Sequence, residues 1–351
     1  TPPPMRAVAN PPNPWASSHV EWLGEPPGVE LSVYEEQAKS ILSENDSPDL
    51  PFRWSLNPYR GCFHGCAYCY ARPTHQYLGF GAGTDFERRL VVKTNAPELL
   101  RRRLEQRSWR GETIVFSGVT DCYQPLEASY RLTRRCLEVC AAFRQPVGVV
   151  TKGALVERDA DVLGELAKHG AATVYLSVPF SDEADSRAIE PFVASPARRL
   201  RAMRALADAG VPVGVSVSPL IPGLNDHQVP AILRAAREAG AGRAFHVLLR
   251  LPAEVEQVFE ERLRAAFPQR ADKVLSLLRA MRGGRDDARF GARMRGEGPR
   301  WQLVADLFAK TAKRLGMAAP GMERHGAAGA PTPFRRPFEQ GSLFGGGAGC
   351  G

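Results

Sequence analysis

The stretch NPYRGCFHGCAYCYAR, residues 57–72, sets Cys62, Cys66 and Cys69 at C-x3-C-x2-C. Thiolates spaced this closely commonly share a metal. A closed structural zinc site takes four protein ligands, usually as two separated pairs, and no second short-spaced pair follows here. His64, inside the loop, offers one completion as a Cys3His zinc site. A [4Fe–4S] cube held by three thiolates, with one iron left open to an outside ligand, offers the other. Cys136 and Cys140 stand four apart on one predicted helix face, where free cysteines read as core packing.

The residues around the loop decide between folds. FRWSLNPY (52–59) reads as a strand that leads straight into the cysteines. Beyond the loop, β-branched runs alternate with helical periodicity. TIVFSG (113–118) precedes YRLTRRCLEVCAAF, PVGVVTKG (146–153) precedes DADVLGELAKHG, and ATVYLSVPF precedes SPARRLRAMRALADAG. VPVGVSVSPLIPG precedes QVPAILRAAREAG, and RAFHVLLRLP precedes two more helical stretches. Ser195 is the expected N-cap of its helix, with Pro196 at the first helical position. This alternation predicts parallel βαβ units, with the chemistry at the C-terminal strand ends. The cysteine loop falls at such an end.

The chain has 351 residues, 44% of them hydrophobic, enough for a sizeable core. No apolar run reaches the roughly 18 residues a membrane span needs, so no membrane partner is expected. The proline-rich start TPPPMRAVANPPNPW has no apolar signal core, and seven cysteines, an odd number, do not make a disulfide framework. A cytoplasmic location is expected. The net charge is +8, and residues 279–300 carry seven Arg against two Asp and one Glu, a segment able to bind phosphate. Three regions are expected: a loosely ordered arm over 1–50, a barrel domain with C-terminal helices over 51–315, and a disordered Gly/Ala/Pro-rich tail over 316–351.

The cysteine spacing, with Tyr68 before the third cysteine and the βα alternation behind it, resembles the radical S-adenosylmethionine (SAM) superfamily. The phrases NPYRGCFHGCAYCYAR, VTDCYQPLE, LTRRCLEV and SPLIPGLND resemble its spore photoproduct lyase-like (SplB-type) branch. The resemblance implies an α/β fold, a partial (β/α)6 TIM-type barrel. It implies a [4Fe–4S] cluster on Cys62, Cys66 and Cys69, with SAM on the open iron. An external reductant of flavodoxin or ferredoxin type would supply one electron, and SAM would break to methionine and a 5′-deoxyadenosyl radical.

In that family a glycine-rich turn after the second strand holds the SAM amino group. Here Ser117, Gly118, Thr120 and Asp121 take its place, with Thr120 and Asp121 as candidates for the ammonium. Thr151, Lys152 and Ser177 are candidates for the carboxylate and ribose, and SPLIPGLND for the neighbourhood of adenine. The lyase returns hydrogen through a cysteine near the end of its second strand. Cys122 lies in that neighbourhood and also reads as an inert strand-end cysteine.

The branch implies a DNA lesion as substrate; RNA, a peptide or a small molecule are alternatives of the same class. A non-catalytic, metal-stabilised nucleic-acid-binding module is the reading of a different class. In the tail, Gln340, Leu343 and Phe344 resemble the Q-x-x-L-F peptide that docks on the bacterial sliding clamp, with Gly341 where Leu is common. Cys350 carries no assigned role.

Overall fold

The computed structural model describes residues 30–283, 294–319 and 331–337. Its strands in chain order are β1 (Ser32–Glu36), β2 (Leu42–Glu44), β3 (Trp54–Leu56), β4 (Tyr59–Arg60) and β5 (Arg89–Lys93). They continue with β6 (Ile114–Phe116), β7 (Val147–Thr151), β8 (Ala172–Ser177), β9 (Val213–Leu220) and β10 (Arg243–Leu248). The main sheet has the order β10-β9-β8-β7-β6-β3-β2. From β3 to β10 every neighbouring pair in it is parallel and consecutive around the sheet, while β2 runs antiparallel at the edge. Six parallel strands with helices between them form the expected partial (β/α)6 barrel.

Local chemistry explains the repeats. Val213, Val215 and Val217 on β9 and Ala172, Val174 and Leu176 on β8 join the main apolar core with helix residues such as Leu163, Met203 and Leu233. Each fully buried aliphatic side chain contributes about 1.5–3 kcal/mol over an exposed one. Gly214 and Ser216, between the β9 valines, and Ser177, next after Leu176, are buried and fall on the opposite face, as a two-residue period requires. The helix Pro196–Asp208 begins as expected, with the Ser195 side chain accepting from the Arg198 amide. Cys136 and Cys140 are buried in the core, on the helix Leu132–Ala142.

Two segments differ from the sequence expectation. The region expected as a loose arm over 1–50 contains β1 and β2. β1 pairs in parallel with β5, which also holds β4, in a separate three-stranded sheet. The charged SVYEE and LSE look like solvated chain; pairing with partners far along the chain makes them strands. Part of the tail expected to be disordered is also docked. Phe334 stacks on Phe143 at 6.2 Å, the Arg335 amide donates to the Phe143 carbonyl at 2.8 Å, and the Thr332 hydroxyl donates to the Gly111 carbonyl at 2.9 Å. Residues 284–293 of the arginine-rich segment, the clamp-like Gln340, Leu343 and Phe344, and Cys350 lie outside the described residues. Among the described residues no helix is long and apolar enough to cross a membrane.

The packing predicts an acid-sensitive fold. Burial holds His75 down from 6.5 to about 4, with its Nε2 2.8 Å from the Arg89 carbonyl. Burial lowers His246 to about 4 as well, where its ring packs on Trp301 and Phe308. Both are neutral when folded and take up protons near pH 6.5 when unfolded. Between those values the unfolded chain binds more protons, so stability falls as pH falls through the window. Each group contributes up to roughly 3 kcal/mol, present above pH 6.5 and lost by about pH 4. Urea unfolding at pH 7.5 and 4.5 should differ accordingly, and His75→Gln should reduce the difference. A midpoint that does not move would refute it.

Candidate active site

The cysteine loop leaves β4 at Gly61 and is tied down along its length. The Cys62 amide donates to the Phe86 carbonyl at 2.8 Å, and the Ala67 amide to the Ile189 carbonyl at 3.0 Å. Arg72, its side chain fully buried, donates to the carbonyls of Gly65, Cys66, Ala82 and Gly83 and pairs with Glu87. Gly65 has φ +67°, a conformation that favours glycine, and a Cβ there would also stand tight at 3.1 Å from the Phe192 ring and 3.3 Å from the Glu87 carboxylate.

The segment after β6 braces this loop from beneath. Asn57 Oδ1 accepts from the Val119 and Thr120 amides at 2.9 and 3.3 Å, and the Thr120 hydroxyl donates to the Tyr59 carbonyl at 2.8 Å. Gln124 donates to the Gly61 carbonyl and accepts from the Phe63 amide, both at 3.0 Å. Gly118 lies so close to β3 that a Cβ would meet Ser55 Cβ at 2.7 Å. Its carbonyl accepts from the Tyr70 hydroxyl at 2.7 Å. Ser117 sits in the left-handed region at φ 71°, which costs a non-glycine residue about 1–2 kcal/mol. Its hydroxyl accepts from the Cys122 amide at 2.9 Å.

Asp121, in the segment after β6, joins the end of β7 to the cysteine loop. It accepts from the Thr151 hydroxyl at 2.6 Å, the Lys152 amide at 2.7 Å and the Tyr123 amide at 2.9 Å, and faces His64 Nδ1 at 3.4 Å. Burial alone would raise its pKa, but His64 and these donors hold the carboxyl well below the usual carboxylate range.

A second buried network lies beside Cys66. Glu190 accepts from the Tyr68 hydroxyl, from Ser186 at 3.2 Å and from Arg199. Arg199 in turn donates to the Ser177 carbonyl at 2.9 Å and the Ala194 carbonyl at 2.7 Å. The Lys152 ammonium lies 5.5 Å from the centre of the Tyr68 ring. Burial raises the Glu190 pKa, and the charges of Arg199 and Lys152 more than reverse it.

Cys62 and Cys66 are buried and Cys69 is half-buried, all three as free thiols. Burial pushes the Cys66 thiol up to about 12, with Lys152 pulling against it. Burial also lifts Cys62, helped by the charges of Asp121, Cys69 and Cys66, and lifts Cys69 against the pull of Arg72. The three thiols therefore lie within electrostatic reach of one another. Among the described residues no three His, Cys, Asp or Glu side chains converge closely enough to hold a single metal ion. Cys122 is fully buried in the main core with Cys136 and Cys140, whereas Cys66 and Tyr68 belong to a different apolar cluster. Burial raises the Cys122 thiol well above its ordinary range.

The structure thus brings Tyr68, Thr120, Asp121, Thr151 and Lys152 into contact with the cysteine loop or its supports, with Ser177 joined through Arg199. Sequence reasoning missed Asn57, Arg72, Glu87, Gln124, Glu190, Arg199 and Arg262. Asn57, Arg72 and Gln124 lie inside the phrases that carry the resemblance, but nothing in those phrases assigned them a bracing role, and Glu87, Glu190, Arg199 and Arg262 have no local signal beside them.

A partial barrel carrying a three-cysteine loop at its C-terminal mouth defines a class. Residues 56–236 match the family model described as Radical SAM superfamily, and the chain belongs to that superfamily. An uncharacterized protein of Mycobacterium tuberculosis (strain ATCC 25618 / H37Rv) is 39% identical over 197 residues, covering 56% of this chain and 58% of its own length. The chain thus spans less than two thirds of that curated relative. An uncharacterized protein of Methanocaldococcus jannaschii is 30% identical over 196 residues, covering 56% and 70% respectively. Among solved structures, spore photoproduct lyase complexed with dinucleoside spore photoproduct shares the fold at TM-score 0.59. It is 16% identical, with 87% of this chain and 88% of that chain covered.

Proposed function

We propose that this chain is a radical SAM enzyme in which Cys62, Cys66 and Cys69 hold a [4Fe–4S] cluster and SAM completes the fourth iron. The observation that carries the reading is the donor set. Three free thiols share one braced loop at the barrel mouth of a superfamily member. A cube takes each thiolate on its own iron, so the thiols need not converge on one point; a Cys3His zinc site needs convergence, and His64 is turned to Asp121 instead. One-electron reductive cleavage of SAM is the chemistry available when both groups are bound.

The chain's own residues would bind and orient. Lys152 is the proposed partner of the SAM carboxylate, with Thr151 and Ser177 at neighbouring strand ends. Asp121, held ionised, is the proposed counter-charge to the ammonium, and Thr120, Ser117 and Gly118 keep that turn against β3. Burial of the thiols also implies that cluster loading releases protons and weakens in acid.

For the substrate we propose a DNA lesion, on the likeness of fold to a lyase whose structure contains a dinucleoside photoproduct. The core burial of Cys122 favours packing over hydrogen return. The test is anaerobic reconstitution, then reduction with SAM and ultraviolet-damaged DNA. Brown protein that bleaches with dithionite and releases 5′-deoxyadenosine supports the chemistry, and restored bases support the substrate. A colourless protein holding one zinc refutes both. Cys122→Ala should leave cleavage and repair products as in the parent; stalled or altered products would restore Cys122 as a hydrogen donor.

A further inference from the structure

The cysteine loop has a support that lies outside the span shared with the family. Arg262, on the helix Val255–Ala266, donates through Nη1 to the Gly65 carbonyl and through Nη2 to Glu87 Oε1. Its side chain is 14% exposed. Arg72 donates to the same two acceptors. Glu87 and Gly65 are thus each held by two guanidinium groups, one from within the loop and one from a helix 197 residues further along.

We propose that Arg262 is a positioning residue for the cluster: a latch from the C-terminal helix that fixes the backbone between Cys62 and Cys66 and leaves a net positive charge beside it. Two arginines against one glutamate leave that charge uncancelled. The site is shielded from water, so the charge acts at longer reach than at a surface. Cluster potential responds to net charge, hydrogen bonding and exposure around the sulfurs, so this charge would favour the reduced state. The planar fork of arginine suits two acceptors at once, where lysine offers a point charge. This inference rests on the cluster reading above for its redox part and on the hydrogen bonds alone for its structural part.

The experiment separates the two. In the metal-free full chain, hydrogen–deuterium exchange of peptides covering residues 60–72 should quicken about 10-fold or more in Arg262→Met, the loss of about 1.4 kcal/mol of local protection. Peptides of β7 to β9 should be unchanged. Arg262→Lys should exchange at an intermediate rate. In the reconstituted chain, a redox titration followed by electron paramagnetic resonance should place the Arg262→Met midpoint below that of the parent. Arg262→Lys, which keeps the charge, should stay at the parent value. Unchanged exchange in Arg262→Met overturns the latch. Equal midpoints in Met and parent proteins overturn the charge role. If the parent chain assembles no cluster, the cluster reading fails while the exchange result still decides the latch.

Discussion

Cys66→Ala yields a folded protein that binds almost no iron and releases no 5′-deoxyadenosine from SAM. Losing outer-shell partners of a metal site typically costs 10–100-fold, so losing a ligand itself should lower SAM cleavage by at least about 100-fold. Cys62→Ala and Cys69→Ala should behave alike, because each removes one of three corners. The fold should survive. Cys66 packs in the second apolar cluster with Tyr68 and Phe180, and alanine removes only its sulfur. His64→Ala is the control. Its imidazole faces Asp121, so iron should stay in place when it is removed. Iron per chain, circular dichroism and 5′-deoxyadenosine release together check the set. Full cleavage in Cys66→Ala, or loss of metal in His64→Ala, would reverse the assignment.

Arg199→Met is expected to have the largest effect on stability. Arg199 and Glu190 both have fully buried side chains, and the pair is joined to Tyr68, Ser186 and Ser177. Removing Arg199 leaves the Glu190 carboxylate in the core without its hydrogen-bonded ion-pair partner, with only the Lys152 charge still acting on it, and breaking a buried pair in this way costs about 3–5 kcal/mol. Removing both charges together, as Arg199→Met with Glu190→Gln, should recover much of that loss. The penalty arises from the unpaired charge more than from the lost contact. Urea unfolding of the two single variants and the double variant gives the coupling. If the single changes cost under about 1 kcal/mol, or the three values simply add, the network is not an energetic unit. Because the Tyr68 hydroxyl donates to Glu190, the same variants should loosen the segment between Cys66 and Cys69.

Much of the architecture was legible because its signals are local. Valine-rich runs ending in Gly or Ser and the Ser195–Pro196 helix start each report on a few adjacent residues, and they fall where the strands and helices lie. The three cysteines proposed as cluster ligands stood out for the same reason: three cysteines within eight positions are a local pattern. The braces were not. Asn57 falls in a stretch read as strand and Gln124 in a stretch read only for its Cys and Asp, and their bracing role is visible only once both are seen bonded to the opposite segment, 61 to 63 residues away. Arg72, Arg199 and Arg262 sit among 46 basic residues, and nothing local separates the buried ones from the solvated ones. The strands β1 and β2 and the docked residues around Phe334 were read as loose chain, since their order comes from partners that composition does not reveal.

The sequence by itself determined the class of fold and the three thiols, because hydrophobic period and ligand spacing are set along the chain. Only the tertiary structure decided how those thiols are held. A hydrogen bond or ion pair becomes strong when both partners leave water, and burial depends on what packs over them. Glu190 opposite Arg199, Asp121 between the end of β7 and the cysteine loop, and Arg262 latched on Gly65 acquire their roles only when distant segments close over one another.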